Sequence, residues 1–176
     1  MLWWGFIASE CLFFGSLITT YLVYKGQSLI GPYPHEVLNI PVTSVSTFVL
    51  LTSSLAMVLA LAGIQAGNLG RFRLWMFVTA LLGLTFLGFQ VYEFTTFVHE
   101  GLTLQRNLFG ATFFILTGFH GTHVAVGVLW LLSLFFWSFS GGLTAENAIN
   151  VEVAGLYWHF VDVVWIAIFT LVYLIP

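Results

Sequence analysis

Charge is what this sequence has least of. Lysine and arginine together number 4 and the acids 7 in 176 residues, so only 6% of the chain is charged. A soluble domain carries about 25%. With so little charge the chain cannot keep a surface wet, which excludes a water-soluble protein. Four basic residues also exclude a nucleic-acid partner, which needs a cationic face. Cysteine is nearly absent. Cys11 stands alone, so an intrachain disulfide and a cysteine-based metal cluster are both excluded. No segment convincingly repeats another, which argues against an inverted-repeat transporter. The opening Met1-Leu2-Trp3-Trp4-Gly5 has neither a basic leader nor a small-residue cleavage site. The first apolar segment is therefore expected to stay in the mature protein rather than leave as a signal peptide.

What the chain has instead is hydrocarbon and aromatic rings. It is 60% hydrophobic and 18% aromatic, with a mean hydropathy of +1.01. A helix needs about 20 apolar residues to cross a bilayer core of about 30 Å. Five stretches meet that length, at about 2–24, 42–66, 72–98, 108–139 and 151–175. They predict an all-α fold, a single membrane domain over residues 1–176 built as a bundle of five transmembrane helices. Strands of a membrane barrel would show about ten residues of alternating pattern instead. A polar loop from Gly26 to Asn39, with Pro32 and Pro34 in it and Pro41 just after, follows the first helix. Gly67-Asn68-Leu69-Gly70-Arg71 reads as a tight turn, 99–107 as a short polar link, and Gly141-Gly142 opens the last connection. Short loops predict that successive helices are antiparallel neighbours. Basic residues divide evenly, Arg71 and Arg73 on the N-terminal side and Lys25 and Arg106 on the other. The close arginine pair tips the orientation towards a cytoplasmic N-terminus.

Few ionisable groups lie inside these segments, and each is costly there. Glu10 sits about a third of the way along the first helix, among Trp3, Phe6, Phe13, Phe14, Leu17 and Tyr21, with no basic residue on its helix. A proton-exchanging acid, a lipid-headgroup partner and a structural hydrogen bond to a neighbouring helix are all open readings. Glu93, three residues after Gln90, is near the end of the third helix, where water or a hydrogen bond can satisfy it. His120 and His123 are three apart on the fourth helix, on one face. A metal site would need a third ligand, for example His159. Interhelical hydrogen bonding among small residues and a lipid or proton role are the alternatives. On the last helix Glu152 and His159 are seven apart, about 20° of rotation, and Asp162 follows three later. This stripe reads as a subunit interface, an internal network or a proton relay. His159 and Asp162, one turn apart, can satisfy each other. Trp158 and Trp165 lie on the other side and suit packing or the interfacial belt.

The wording of several segments is also familiar. Thr112 to Val124, Thr-Phe-Phe-Ile-Leu-Thr-Gly-Phe-His-Gly-Thr-His-Val, resembles the signature helix of subunit III of the haem-copper respiratory oxidases. Gly155 to Trp165 resembles that family's final helix. Phe6 to Phe14 resembles its helix with a buried glutamate, and Phe89 to Phe94 and Val42 to Thr47 match as well. The resemblance covers nearly the whole chain in order, and its five-helix pattern is that of many bacterial versions. The mitochondrial form has two further helices, which form one wall of a lipid-filled cleft.

The resemblance implies a non-catalytic core subunit of a proton-pumping terminal oxidase, which reduces oxygen to water. No redox centre belongs to this chain; haem and copper lie in partner subunits I and II. It implies packing on subunit I, bound phospholipid, and support of proton uptake and enzyme stability. A small subunit IV or a respiratory supercomplex is a further partner. Cytochrome c is the implied electron donor, with a quinol oxidase as the alternative. The implied location is the bacterial cytoplasmic membrane, multi-pass, with the N-terminus cytoplasmic. On that orientation Glu10, Glu152 and His159 lie towards the cytoplasmic half as lipid-binding or proton-uptake groups, and Glu93 towards the outer face. Glu93, His120, His123 and Asp162 are then structural polar or interface residues, and the resemblance lowers the weight of a metal at the two histidines. From the residues alone, the competing classes are a stand-alone ion transporter or channel and a metal enzyme using the histidines.

Overall fold

The computed structural model describes residues 2–28 and 39–175. Most of the predicted polar loop and the final Pro176 lie outside the described residues. Five long helices carry the fold, α1 (Leu2–Tyr24), α2 (Ile40–Gln65), α3 (Leu69–His99), α4 (Leu108–Trp137) and α5 (Ile149–Ile168). A π-helical turn, Phe169–Leu174, continues α5, and short 3₁₀ turns at Ser138–Ser140 and Ala145–Asn147 link it to α4. No strand occurs among the described residues. All five spans are long and apolar enough to cross a membrane.

Three of the helices begin on an asparagine. The side chains of Asn39, Asn68 and Asn107 accept from the backbone N–H of Val42, Arg71 and Gly110, at 3.3, 2.9 and 2.7 Å. Each satisfies one of the N–H groups that a helix start leaves free. Pro41 sits in the first turn of α2, where no N–H is needed. These caps explain why α2 and α3 start a few residues before their apolar runs. Between them Gly67 takes φ +71°, and the Asn68 N–H reaches back to the Gly63 carbonyl at 2.9 Å. That is a helix end closed by a left-handed residue, which glycine adopts without strain. Gly63 lets the hairpin close. A Cβ there would lie 2.8 Å from the backbone nitrogen of Phe72.

Helices α2, α3, α4 and α5 form the packed core, where Phe72, Phe86, Phe97, Phe113, Trp158 and Trp165 are fully buried. Trp158 is the wedge of that core. Its ring occupies the space that side chains at Gly83 and Gly127 would fill, with its Cη2 atom 2.6 Å from a Cβ built at Gly83. Small residues allow such close approach in membrane bundles. Between α2 and α5 runs a polar ladder. Trp158 donates to Ser53 at 3.0 Å and Trp165 to Thr47 at 2.9 Å. The two tryptophans therefore pack inwards and do not join an interfacial belt.

Helix α1 departs from the expected order. It lies against α4 and α5 instead of pairing closely with α2, its neighbour in sequence. Residues 25–39 separate α1 from α2. At about 3.3 Å per residue that length can reach past an intervening helix. Most of α1 remains uncovered, and Trp4 and Leu12 are exposed on it. At its far end Lys25 donates to the carbonyls of Leu171, at 3.4 Å, and Ile175, at 2.6 Å. The ammonium thereby satisfies carbonyls that the end of a helix leaves open.

Candidate polar site at the junction of α1, α4 and α5

Two ionisable side chains from different helices meet within the membrane span. Glu10 on α1 faces His123 on α4, with Oε2 and Nε2 3.1 Å apart. Their side chains are 18% and 20% exposed, so the pair is only partly sealed from the surface of the bundle. The other ring nitrogen of His123 lies 2.7 Å from the carbonyl of Phe119, one turn back. A carbonyl only accepts, so Nδ1 carries a hydrogen. One hydrogen then lies between Nε2 and the carboxyl oxygen. Either Glu10 holds it against a neutral ring, or Nε2 holds it against a carboxylate. Phe14 meets the His123 ring edge-on with centroids 4.9 Å apart, and the Tyr157 hydroxyl donates to the His123 carbonyl at 3.1 Å. The pair thus sits among rings from three helices.

The two histidines of α4 part company. Three residues along a helix is about 60° of rotation. That takes His120 away from Glu10 and into the core, where it is fully buried. Its ring stacks on Trp165 at 4.9 Å and meets Phe86 edge-on at 5.9 Å. Among the described residues its two nitrogens have no hydrogen-bond partner, and no three His, Cys, Asp or Glu side chains gather as a metal would require.

The stripe on α5 also divides. Glu152 is exposed in the first turn, where a carboxylate suits the positive end of the helix dipole. His159 is half-buried and pairs with Ser54 of α2, Nδ1 to Oγ at 2.5 Å, rather than with Asp162. Asp162 is 3% exposed. Glu93, which its sequence position puts near the water boundary, is also buried and shares a hydrogen bond with Thr43 of α2. Gln90, one turn earlier, donates to the Thr117 carbonyl of α4 at 2.7 Å.

Ser53, Ser54, Thr43 and Thr47 are the site residues that sequence reasoning missed. Their signal was available. The serines and threonines of α2 recur at helical spacing on the face turned towards α5. Beside His159 an open groove of about 220 Å³ runs between α1 and α5, lined by Trp3, Trp4, Ile7, Leu156, Phe160 and Val163.

The family model described as cytochrome c oxidase subunit III matches residues 2–175. Cytochrome c oxidase subunit 3 of Bacillus sp. (strain PS3) is 44% identical over 171 residues, covering 97% of this chain and 83% of its own. Quinol oxidase subunit 3 of Bacillus subtilis (strain 168) is 38% identical, with 97% and 84% covered. Cytochrome bo(3) ubiquinol oxidase subunit 3 of Pseudomonas aeruginosa is also 38% identical, with 97% and 82% covered. Relatives of both donor types are therefore similar over almost the whole chain. A five-span membrane bundle matched from end to end in this way belongs to the subunit III family of the haem-copper oxidases, where it associates with the other subunits of an oxidase complex.

Proposed function

We propose that this chain is the non-catalytic core subunit of a proton-pumping terminal oxidase, packed on subunit I and holding phospholipid and a proton-exchanging acid beside it. The observation that carries this reading is the Glu10–His123 pair. An acid and an imidazole sharing one proton, partly open at the flank of the bundle, are fitted to exchange that proton or to meet a lipid headgroup. Haem and copper belong to subunits I and II in this reading, and this chain supplies them no ligand. Its place is the bacterial cytoplasmic membrane with the N-terminus inside. That puts Glu10 in the cytoplasmic half and Glu152 at the cytoplasmic end of α5. Cytochrome c is the proposed donor, supported by identities of 40–44% to cytochrome c oxidase subunits against 37–39% to quinol oxidase subunits.

The test is Glu10→Gln in the purified complex. Haem-containing chains should still copurify, because shape and hydrogen bonding are nearly kept. Turnover at high pH, or bound phospholipid, should fall. Unchanged turnover, pH dependence and lipid content together would make Glu10 structural. Oxidation of reduced cytochrome c, compared with a quinol, by the same preparation decides the donor.

A further inference from the structure

Two buried hydroxyls of α2 bond in the same way. Ser53 gives its hydrogen to the Leu50 carbonyl of its own helix, at 2.5 Å, and accepts from Trp158 of α5. Thr47 gives its hydrogen to the Thr43 carbonyl, at 2.7 Å, and accepts from Trp165. A hydroxyl has one hydrogen to give, so in each case the partner helix must supply the second. Thr43, fully buried in the first turn of α2, repeats the arrangement. Its hydroxyl stands 3.0 Å from the Asn39 carbonyl of the cap and is also hydrogen-bonded to Glu93 of α3. A carbonyl only accepts, and so does an ionised carboxylate. Thr43 satisfies both contacts only if Glu93 carries a proton and donates it. The surroundings of Glu93 agree with that form. It is 5% exposed, and among the described residues no lysine, arginine or histidine pairs with it. An unpaired carboxylate is costly in a membrane span, whereas the neutral acid is tolerated there.

We propose that Glu93 keeps its proton at neutral pH and donates it to Thr43, forming an acid clasp between α3 and the start of α2 that alkali undoes. Hydroxide takes the carboxyl proton and leaves as water. The carboxylate can then only accept, so the Thr43 hydroxyl turns to it and the Asn39 carbonyl loses that bond. What remains at the cap is the Thr43 N–H on the Asn39 carbonyl, at 3.1 Å, and the Val42 N–H on the Asn39 side chain. The first turn of α2, where the long link from α1 ends, is then held more weakly.

The titratable groups on the elements around Glu93 are the phenols of Tyr173, in the π turn, and Tyr21, on α1, both buried. Helix α2 carries no charged residue. On α4 His120 stacks on Trp165 and His123 is held by Glu10. Lys25 is taken up by the carbonyls of Leu171 and Ile175, and His99, Glu100 and Arg106 are exposed at and beyond the end of α3. The clasp uses neither Glu10 nor His123, so it stands or falls apart from the function proposed above.

The experiment is infrared spectroscopy of the intact haem-containing complex. At neutral pH we expect a carboxylic-acid C=O band that is lost in Glu93→Gln and shifts in Thr43→Val, which keeps the shape and removes the hydroxyl. Where the glutamine variant does not assemble, Glu93→Asp moves the band and identifies it equally. Absence of any band that follows Glu93 overturns the clasp, because the acid is then ionised. A band that Thr43→Val leaves in place overturns it too, because the acid then donates elsewhere. Hydrogen exchange at the Val42, Thr43 and Ser44 amides tests the alkaline step without touching Thr43. The side-chain amide of Glu93→Gln donates at any pH. Wild type and this variant should exchange alike at neutral pH, and in alkali the wild type should exchange about fivefold faster, the factor that one hydrogen bond is worth. Equal rates in alkali overturn the clasp.

Discussion

At the scale of single residues, hydrogen bonds and ring packing in this bundle separate cleanly by substitution. Ser53→Ala removes the bond from the Trp158 indole and leaves the wedge whole. It should cost about 0.6–1.5 kcal/mol, the range for one interhelical hydrogen bond. Gly83→Ala keeps that bond and drives a methyl into the Trp158 ring and Val128. Overpacking of that kind costs about 1–3 kcal/mol. Unfolding of the detergent-solubilised chain should rank Gly83→Ala as the more damaging. The reverse order would mean that the indole N–H, not the fit of the ring, holds the core. Histidine pairing was the least legible feature at this scale. The i, i+3 spacing of His120 and His123 put both on one face of α4, yet a rotation of 60° is enough to split a surface contact from a buried ring. The choice of Ser54 over Asp162 as partner of His159 was equally hidden, because it depends on which residue of α2 lies opposite.

Helices and the contacts between them obey a different rule, set by backbone against backbone. Gly63→Ala should open the α2–α3 hairpin, since the atoms in the way belong to the Arg71 and Phe72 backbone and cannot rotate aside. A loss of about 1–3 kcal/mol is expected. Gly155→Ala is the control. Its new methyl meets the flexible end of Met57 at 3.2 Å, and stability should change little. Thermal denaturation of the two variants side by side measures the difference. Arg73 gives a second element-level case. Its guanidinium holds the Ser138 carbonyl at 2.5 Å and hydroxyl at 3.0 Å and stands 4.3 Å from the centre of the Phe139 ring. Arg73→Lys should free the end of α4, because an ammonium cannot make that fork. Faster hydrogen exchange at residues 138–140 is the readout. The number and approximate length of the helices were open to the sequence, since about 20 apolar residues per span is a strong constraint. The caps were less so, because asparagines outside an apolar run contribute nothing to its hydropathy. The π turn at Phe169–Leu174 left no mark on the pattern at all.

For the molecule as a whole, its place in an oxidase predicts what it does alone. Liposomes holding only this chain should show no ion flux above empty vesicles, and the chain extracted in mild detergent should bring haem-containing partners with it. Flux from the isolated chain would instead support a stand-alone channel. The packing order of the helices was not legible, because hydropathy marks spans but not neighbours. That order carries a further consequence. Helix α1 enters the membrane before α2 to α5, yet the surfaces it rests on belong to α4 and α5, and Lys25 after it closes onto carbonyls beyond α5. It must therefore wait in lipid, with Glu10 lacking His123, until α4 and α5 have been synthesised. Ribosome-bound chains that stop after α3 should leave α1 in reach of the insertion machinery or a membrane chaperone. A cysteine-to-cysteine crosslink between α1 and α4 should form only once the later helices have arrived.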